Sequence, residues 1–153
     1  MAYEVPTLEK LVKQASYLRK AYAKMCDPYV KDFHFSPCEL DILILLGNNP
    51  TIHTAKELVT YLGVAKSLVA RSVDSLLQRE FLRMEMDEQD RRIQHLYLTQ
   101  KADAITTIMR KNQEEFSKEI LYGIAEEELR ITQNVMDQIN KNISILLEGV
   151  KKA

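Results

Sequence analysis

Basic and hydroxyl side chains share one face of a segment near the middle of the chain. In a helical projection of residues 65–79, Lys66, Ser67, Ala70 and Arg71 lie opposite the apolar residues of the same segment. Lysine and arginine can donate to guanine N7 and O6, and a serine hydroxyl can contact a base or a phosphate. Such a face suits the major groove of double-stranded DNA. A solvated helix face without a partner is the alternative interpretation.

A second cationic group lies in the polar run 87–92. Asp90 stands two residues before Arg92, so its carboxylate can hold the guanidinium by charge-assisted hydrogen bonds. An arginine held at a loop tip suits a narrow minor groove, where negative potential is concentrated. Arg91 would reach the flanking phosphates. By spacing alone, a charged turn that is simply solvated fits equally well.

The other reactive side chains give weaker indications. Cys38 falls in the first turn of a predicted helix, where the helix dipole favours a thiolate, and is therefore a candidate redox sensor. Burial as a small apolar residue is the alternative for this cysteine. His34, His53 and His95 are scattered without metal-ligand spacing, so we expect no metal and no cofactor. No phosphate-binding loop or nucleophile elbow indicates an enzyme.

The elements that would position these residues begin with two helices. Apolar residues at steps of three and four predict a helix over 7–26, which Asp27-Pro28 is expected to break. Ser36-Pro37-Cys38-Glu39 combines a capping box with a proline at the first helical position. The apolar run that follows predicts a helix buried from several directions, and Gly47-Asn48-Asn49-Pro50 ends it.

Two shorter helices and a hairpin follow. A capping box at Thr54 opens a short helix, Gly63 supplies a turn, and a second helix runs from about Ala65 to Arg79. Residues 82–86 and 94–98 alternate between apolar and polar side chains, which is typical of paired strands. Their connection over 87–92 lacks Gly and Asn, so we expect a longer projecting loop.

Two further helices complete the pattern. One begins near Thr99, Gly123 marks a break, and the last starts in the acidic cluster 126–128, whose charges favour a helix N-terminus. The order predicts a mainly α protein with a small β-hairpin, a winged helix-turn-helix. Long apolar-striped helices at both ends suggest dimerisation, and wrapping around a single monomer core is the alternative. The expected parts are 1–35 and 101–153 for dimerisation and 36–100 for the DNA-binding lobe.

Composition is consistent with this organisation. The chain has 153 residues, of which 46% are apolar and 28% charged, as in one folded domain. No apolar run approaches the roughly 18 residues of a membrane-spanning helix, and no signal-peptide core is present, so we expect a cytoplasmic protein. The net charge of −1 excludes a chain that coats nucleic acid by being basic throughout. Residues 62–79 nevertheless carry three basic side chains against one acidic.

The stretch from Ala65 to Lys101 resembles the MarR family of bacterial transcriptional regulators. The family's recognition-helix pattern, Lys-Ser-x-Val-x-Arg-x-Val-Asp-x-Leu, begins here at Lys66, and its wing pattern, Asp-x-x-Asp-Arg-Arg, begins at Asp87. The Ser-Pro-x-Glu and Thr-x-x-Glu openings are similar to the family as well. The family usually has Gly before the first wing strand, where this sequence has Phe81, a residue that tolerates positive φ poorly.

The resemblance implies a homodimeric repressor on a palindromic operator. It places Lys66, Ser67, Ala70 and Arg71 in the major groove and Arg92, braced by Asp90, in the minor groove. It also implies release by a small phenolic or anionic effector, or by an oxidant. Aromatic residues near the junction of lobe and dimer region, with Tyr17, Tyr22 and His34 as the ligand candidates, could line a cavity, although plain core packing suits such residues too. A winged-helix adaptor that binds another protein is the alternative function, and a cysteine-based redox regulator is a third.

Overall fold

A computed structural model describes residues 7–151. The elements, in chain order, are α1 (Leu8–Phe33), α2 (Pro37–Asn48), α3 (Ala55–Leu62), α4 (Lys66–Gln78), β1 (Leu82–Met86), β2 (Gln94–Leu98), α5 (Gln100–Ile120) and α6 (Glu126–Lys151). This order confirms the predicted mainly α fold with one hairpin. Within residues 7–151, no helix combines the length and the apolarity needed to cross a bilayer.

The first helix is longer than the sequence predicted. We expected a break at Asp27-Pro28, but α1 continues through this proline to Phe33. Proline inside a helix removes one N–H from the hydrogen-bond ladder and costs about 3 kcal/mol. The last turns of α1 offset this cost by packing on the core, where Cys26 is buried and Tyr29 is half-buried. The prediction of a break was wrong because tertiary packing overrode local propensity.

The second helix forms the centre of the core. Its predicted capping box is present: the Glu39 N–H donates to Ser36 Oγ at 3.2 Å, and the Ser36 N–H donates to the Glu39 carboxylate at 2.7 Å. Burial on several sides of α2 confirms the expectation from its apolar run. The buried apolar residues of this helix are Cys38, Leu40, Ile42, Leu43, Ile44 and Leu46.

The third and fourth helices form the predicted helix-turn-helix. Thr54 and Glu57 make the expected capping box at the start of α3. Gly63 ends that helix in the left-handed region, with φ of 62°, which a residue without a Cβ adopts at little cost. The buried face of α4 carries Val69 and Leu76, and it packs against α2 and α3. The opposite face of α4 is thereby left in solvent.

The hairpin that follows is an antiparallel pair. Leu82 lies opposite Leu98 and Met86 opposite Gln94, and residues 87–93 form the projecting loop. Leu82 and Leu96 are buried and fix the base of the hairpin to the core. We call this hairpin with its loop, residues 82–98, the wing.

The link between α4 and the wing corrects one sequence inference. We related the family's glycine to Phe81 and expected strain there, but the residue with positive φ is Glu80, at 62°, and Phe81 is buried. The Phe81 N–H donates to the Leu76 carbonyl at 2.9 Å and the Glu80 N–H to the Leu77 carbonyl at 3.1 Å. These two bonds form a Schellman motif, whose left-handed residue is Glu80. The bulky aromatic ring therefore avoids the strained position.

The chain divides into two compact units, one ending at Glu114 and the other beginning at Glu115. In the first unit, the start of α5 buries Ala102, Ile105 and Met109. In the second unit, which contains the end of α5 and all of α6, none of the described residues is buried. The partition differs from the three parts predicted above, whose roles in DNA binding and dimerisation remain predictions.

Candidate nucleic-acid interface

The exposed face of α4 brings together the four residues singled out in its sequence. Lys66, Ser67, Ala70 and Arg71 are all solvent-exposed and occupy the first two turns of this helix. Val69, which lies between them in sequence, is only 1% exposed. The alternation follows from the helical period, since burial of one stripe presents the other to solvent. The face offers two cationic groups and one hydroxyl to a partner.

A clasp centred on Arg79 fixes α4 against the first two helices. Its guanidinium donates to the carbonyl of Phe33 at 2.7 Å and to that of His34 at 3.3 Å, both at the end of α1. The same group lies 3.7 Å from the buried carboxylate of Glu39 and 4.5 Å from the centre of the Phe35 ring. Ser75 on α4 also donates a hydrogen bond to Glu39. These contacts with α1 and α2 fix the orientation of α4 and therefore the direction of its exposed face.

The tip of the wing is ordered by two aspartates. Asp87 Oδ1 accepts from the backbone N–H of Gln89 at 2.9 Å and of Asp90 at 2.8 Å. Arg92 then donates to the Asp90 carboxylate from Nε at 3.1 Å and from Nη2 at 3.2 Å. This bidentate pair has the geometry expected from the sequence spacing. The guanidinium lowers the pKa of Asp90 below its ordinary value.

Both arginines at the tip remain available to a partner. The Arg92 side chain is 91% exposed even though it is paired, and Arg91 is exposed as well. The carboxylate of Asp90 therefore sets the direction of Arg92 without covering it. The tip can accordingly present an oriented cation to an anionic surface.

Two histidines that the sequence left unconnected meet beside the loop end of the wing. His53 Nδ1 lies 2.7 Å from His95 Nδ1, and His95 Nε2 lies 2.8 Å from Asp87 Oδ2. The hydrogen bond from His95 lowers the pKa of Asp87 to about 2. Our description of the histidines as scattered was wrong for this pair. Their separation of 42 positions in the sequence hides the contact, and only the pairing of β2 with the segment before α3 creates it.

The candidate ligand and redox residues lie elsewhere. Tyr22 lines a cavity of about 290 Å³ between α1 and α2, together with Arg19, Cys26 and Asp41. Burial raises the pKa of Tyr22, of Asp41 and of the Cys26 thiol. The complete lining is Arg19, Tyr22, Ala23, Cys26, Asp27, Val30, Pro37, Leu40 and Asp41.

The remaining candidates do not join this cavity. Tyr17 is 77% exposed on α1, and His34 is the left-handed residue that ends the helix. Cys38 is 8% exposed within the core. In the part of the chain that the structure describes, no group of three His, Cys, Asp or Glu side chains is arranged to hold a metal ion.

Comparisons with known proteins agree with this geometry. Residues 34–93 match the model of the MarR family. The HTH-type transcriptional regulator YybA of Bacillus subtilis (strain 168) is 23% identical over 145 residues, which cover 95% of this chain and 96% of that protein. The crystal structure of the transcriptional regulator PA3341 is 27% identical, with a TM-score of 0.78 over 90% of this chain and 98% of that one.

A third similar structure contains nucleic acid. It is a putative MarR family transcriptional regulator from Listeria monocytogenes complexed with 26-mer DNA, which is 16% identical, with a TM-score of 0.79. The similarity covers 93% of this chain and 94% of that one. At this identity the match concerns the fold.

A helix-turn-helix followed directly by a β-hairpin defines a winged helix-turn-helix protein. The family match covers the helix-turn-helix and the wing as far as the start of β2, and similar regulators extend over nearly the whole chain. The chain's helix-turn-helix and wing are thus similar to those of the MarR family. Its relatives are transcriptional regulators rather than enzymes.

Proposed function

We propose that this protein is a homodimeric repressor that binds a palindromic DNA operator and is released by a small phenolic or anionic ligand. The observation that carries the proposal is the pairing of Arg92 with Asp90 at the tip of the wing. The pair gives an exposed cation a fixed direction, next in sequence to a helix with a cationic outer face. Both features suit DNA, whose grooves lie side by side along the duplex.

The two elements would bind neighbouring grooves. The first turns of α4 enter the major groove, where Lys66 and Arg71 donate to base edges and Ser67 to a base or a phosphate. Ala70 provides an apolar surface that can contact a thymine methyl group. Arg92 enters the minor groove, and Arg91 contacts the phosphates beside it. The Arg79 clasp supports this arrangement by holding α4 in one orientation.

Dimerisation is supported by apolar side chains that each unit leaves in solvent. On α6 they recur at steps of three and four, as in a helix that packs on another helix. A single helix of this kind cannot bury its own stripe. We therefore assign the two chain ends to contacts with a second copy. The exposed apolar residues of α1 and α6 include Leu8, Leu11, Val12, Leu18, Val135, Met136, Ile143, Leu146, Leu147 and Val150.

The cavity between α1 and α2 is our candidate effector site. Arg19 supplies a cation and Tyr22 a hydroxyl, which suit an anionic or phenolic ligand. The Tyr22 hydroxyl also accepts a hydrogen bond from Gln113 Nε2 at 3.1 Å, so a ligand there would compete with a contact between α1 and α5. This competition supports coupling between ligand binding and the arrangement of the helices.

The test starts from operator selection. A random double-stranded pool is selected on the wild-type protein, and affinity for the selected duplex is measured by fluorescence anisotropy at two salt concentrations. We expect affinity to fall steeply with salt because bound counterions are released from the phosphates. Arg92→Ala should weaken binding about tenfold or more, since a groove contact is worth roughly 1–3 kcal/mol and a dimer has two wings.

The control and the contrary outcomes use the same assay. Arg130→Ala removes an exposed arginine of α6 that pairs with Glu127, and it should leave operator affinity unchanged. Unchanged operator affinity in Arg92→Ala would show that the tip of the wing does not contact the DNA. Failure to select any duplex would favour the adaptor that binds another protein. Phenolic and anionic compounds are then added to the protein–DNA complex. A repressor of the proposed kind dissociates from the DNA when at least one of these compounds is present.

A further inference from the structure

We propose that His53, His95 and Asp87 form a proton-sensitive link that positions the wing for DNA binding. The link is the chain of two hydrogen bonds from the His53 imidazole through that of His95 to the Asp87 carboxylate. A second proton on the two imidazoles breaks it. The inference rests on the proposed function, because the element that is positioned is the DNA-contacting wing.

The link joins the wing to the helix-turn-helix. His53 lies just before the N-cap of α3, whereas His95 lies on β2 and Asp87 begins the loop of the wing. The Leu96 N–H also donates to the His53 carbonyl at 2.6 Å. Asp87 in turn orders the tip through its other oxygen, which accepts from the N–H groups of Gln89 and Asp90. A change at the imidazole pair therefore reaches both β2 and the tip of the wing.

The hydrogen-bond partners determine where the protons lie in the neutral pair. Asp87 is ionised at neutral pH, because its pKa is about 2, so the nitrogen that faces it must carry the proton. His95 Nδ1 is then the acceptor, and His53 Nδ1–H is the donor. One further proton can be added at His53 Nε2 without disturbing this bond. The singly charged pair accordingly keeps the link.

The hydrogen bond between His53 and His95 cannot form when both imidazoles are protonated. In the structure, the Nδ1 atoms of the two rings lie 2.7 Å apart, as donor and acceptor of one hydrogen bond. When both imidazoles are protonated, each Nδ1 carries a hydrogen, so two donors face each other and the hydrogen bond is lost. Two positive charges also repel across rings whose centres are 4.6 Å apart. The rings must separate, and the histidine link between β2 and the start of α3 opens. Histidine is the side chain that ordinarily gains a proton near neutral pH, so acidification drives the pair toward this state.

The charged side chains around the pair are mainly carboxylates. Glu57 on α3 accepts from the His53 N–H at 3.0 Å, and Glu85 on β1 lies opposite His95 in the strand register. Arg83 pairs with Glu85 and stacks on the Tyr97 ring of β2, so it offsets part of that negative charge. Glu88 borders the same recess of the wing. None of these groups alters the fact that two protonated Nδ1 atoms cannot hydrogen-bond to each other.

The first experiment compares operator affinity at pH 7.5 and 5.5 in the wild-type protein and in His53→Asn. An asparagine amide places a donor or an acceptor near the position of Nδ1 and does not titrate in this range. We expect wild-type affinity to fall about fivefold on acidification, the ratio that one ordinary hydrogen bond is worth. The asparagine variant should keep its affinity. Added positive charge alone would strengthen binding to phosphates, so the expected sign distinguishes positioning from charge.

His34→Asn is the matched control. His34 is the third histidine of the chain, is exposed, and has the left-handed conformation that asparagine tolerates. This variant should show the same fall in affinity as the wild type. An equal pH dependence in wild type and His53→Asn, or an affinity that rises on acidification in the wild type, would overturn the proposal.

A second measurement needs no DNA. The protection factor of the Leu96 amide against hydrogen exchange should decrease between pH 7.5 and 5.5 in the wild type and stay constant in His53→Asn. Nitrogen-15 spectra of the imidazoles should show His95 protonated at Nε2 at the higher pH. Constant Leu96 protection in the wild type would refute the link even if the operator is bound. If Leu96 exchange changes as expected but the protein selects no duplex, the link is supported and the proposed function is refuted.

Discussion

Arg79 shows at the residue scale how one side chain orients the proposed DNA-reading helix. Its guanidinium contacts two carbonyls at the end of α1, the buried Glu39 of α2 and the ring of Phe35. A planar guanidinium can serve these partners together, whereas a lysine ammonium is a single point of charge. The clasp therefore depends on the shape of arginine as well as on its charge.

Arg79→Lys should accordingly destabilise the protein. We expect a loss of about 2 kcal/mol in the free energy of unfolding, because charge-assisted hydrogen bonds are lost and Glu39 keeps a buried carboxylate. Urea unfolding followed by circular dichroism measures the change. Arg83→Lys is the control, since Arg83 and Glu85 form an exposed pair on the wing, and its effect should stay within about 0.5 kcal/mol. Equal effects of the two substitutions would contradict the role of the clasp.

Sequence reasoning found the local contacts and missed the distant ones. Asp90 and Arg92 are two residues apart, so their pairing could be inferred from spacing alone. Arg79 and His34 are 45 residues apart, and His53 and His95 are 42 apart. Arg79 was therefore counted only as a positive charge. Contacts of this kind depend on how helices pack, which residue types do not specify.

The Schellman motif between α4 and the wing gives a prediction at the scale of the element. Glu80→Gly should stabilise the protein by about 0.5–1 kcal/mol, because a glycine relieves the cost of positive φ, partly offset by its greater freedom in the unfolded chain. Urea unfolding measures this change too. Glu114→Gly is the control, since it places glycine within α5 and should cost about 1 kcal/mol. A loss of stability in Glu80→Gly would show that the Glu80 side chain makes a favourable contact.

A helix boundary could be predicted from the sequence when the residues that determine it are close together in the chain. The two capping boxes at Ser36 and Thr54 are made by residues three apart, and the sequence predicted both. The predicted break at Pro28 failed because the burial of Cys26 and the packing of Tyr29 on the core involve later parts of the fold. Local rules therefore located the starts of these helices better than the end of α1.

At the scale of the whole molecule, the apolar stripe of α6 predicts a dimer. Ile143 lies on this stripe and is 46% exposed in the single chain. Ile143→Glu would be harmless on a monomer, but in a dimer it places a charge in an apolar contact, so we expect it to dissociate the two copies. Light scattering after gel filtration should give twice the 17.7 kDa of one chain for the wild type and a single chain for the variant.

The control for this prediction lies on the opposite side of the same helix. Asn134 is exposed, and nine residues of a helix place it about half a turn away from Ile143. Asn134→Glu adds the same charge and should leave the dimer intact. Loss of dimerisation should also weaken operator binding, since the second half-site would no longer be bound at high effective concentration. A wild-type protein with the mass of one chain at micromolar concentration would refute the dimer and leave each winged lobe to bind alone.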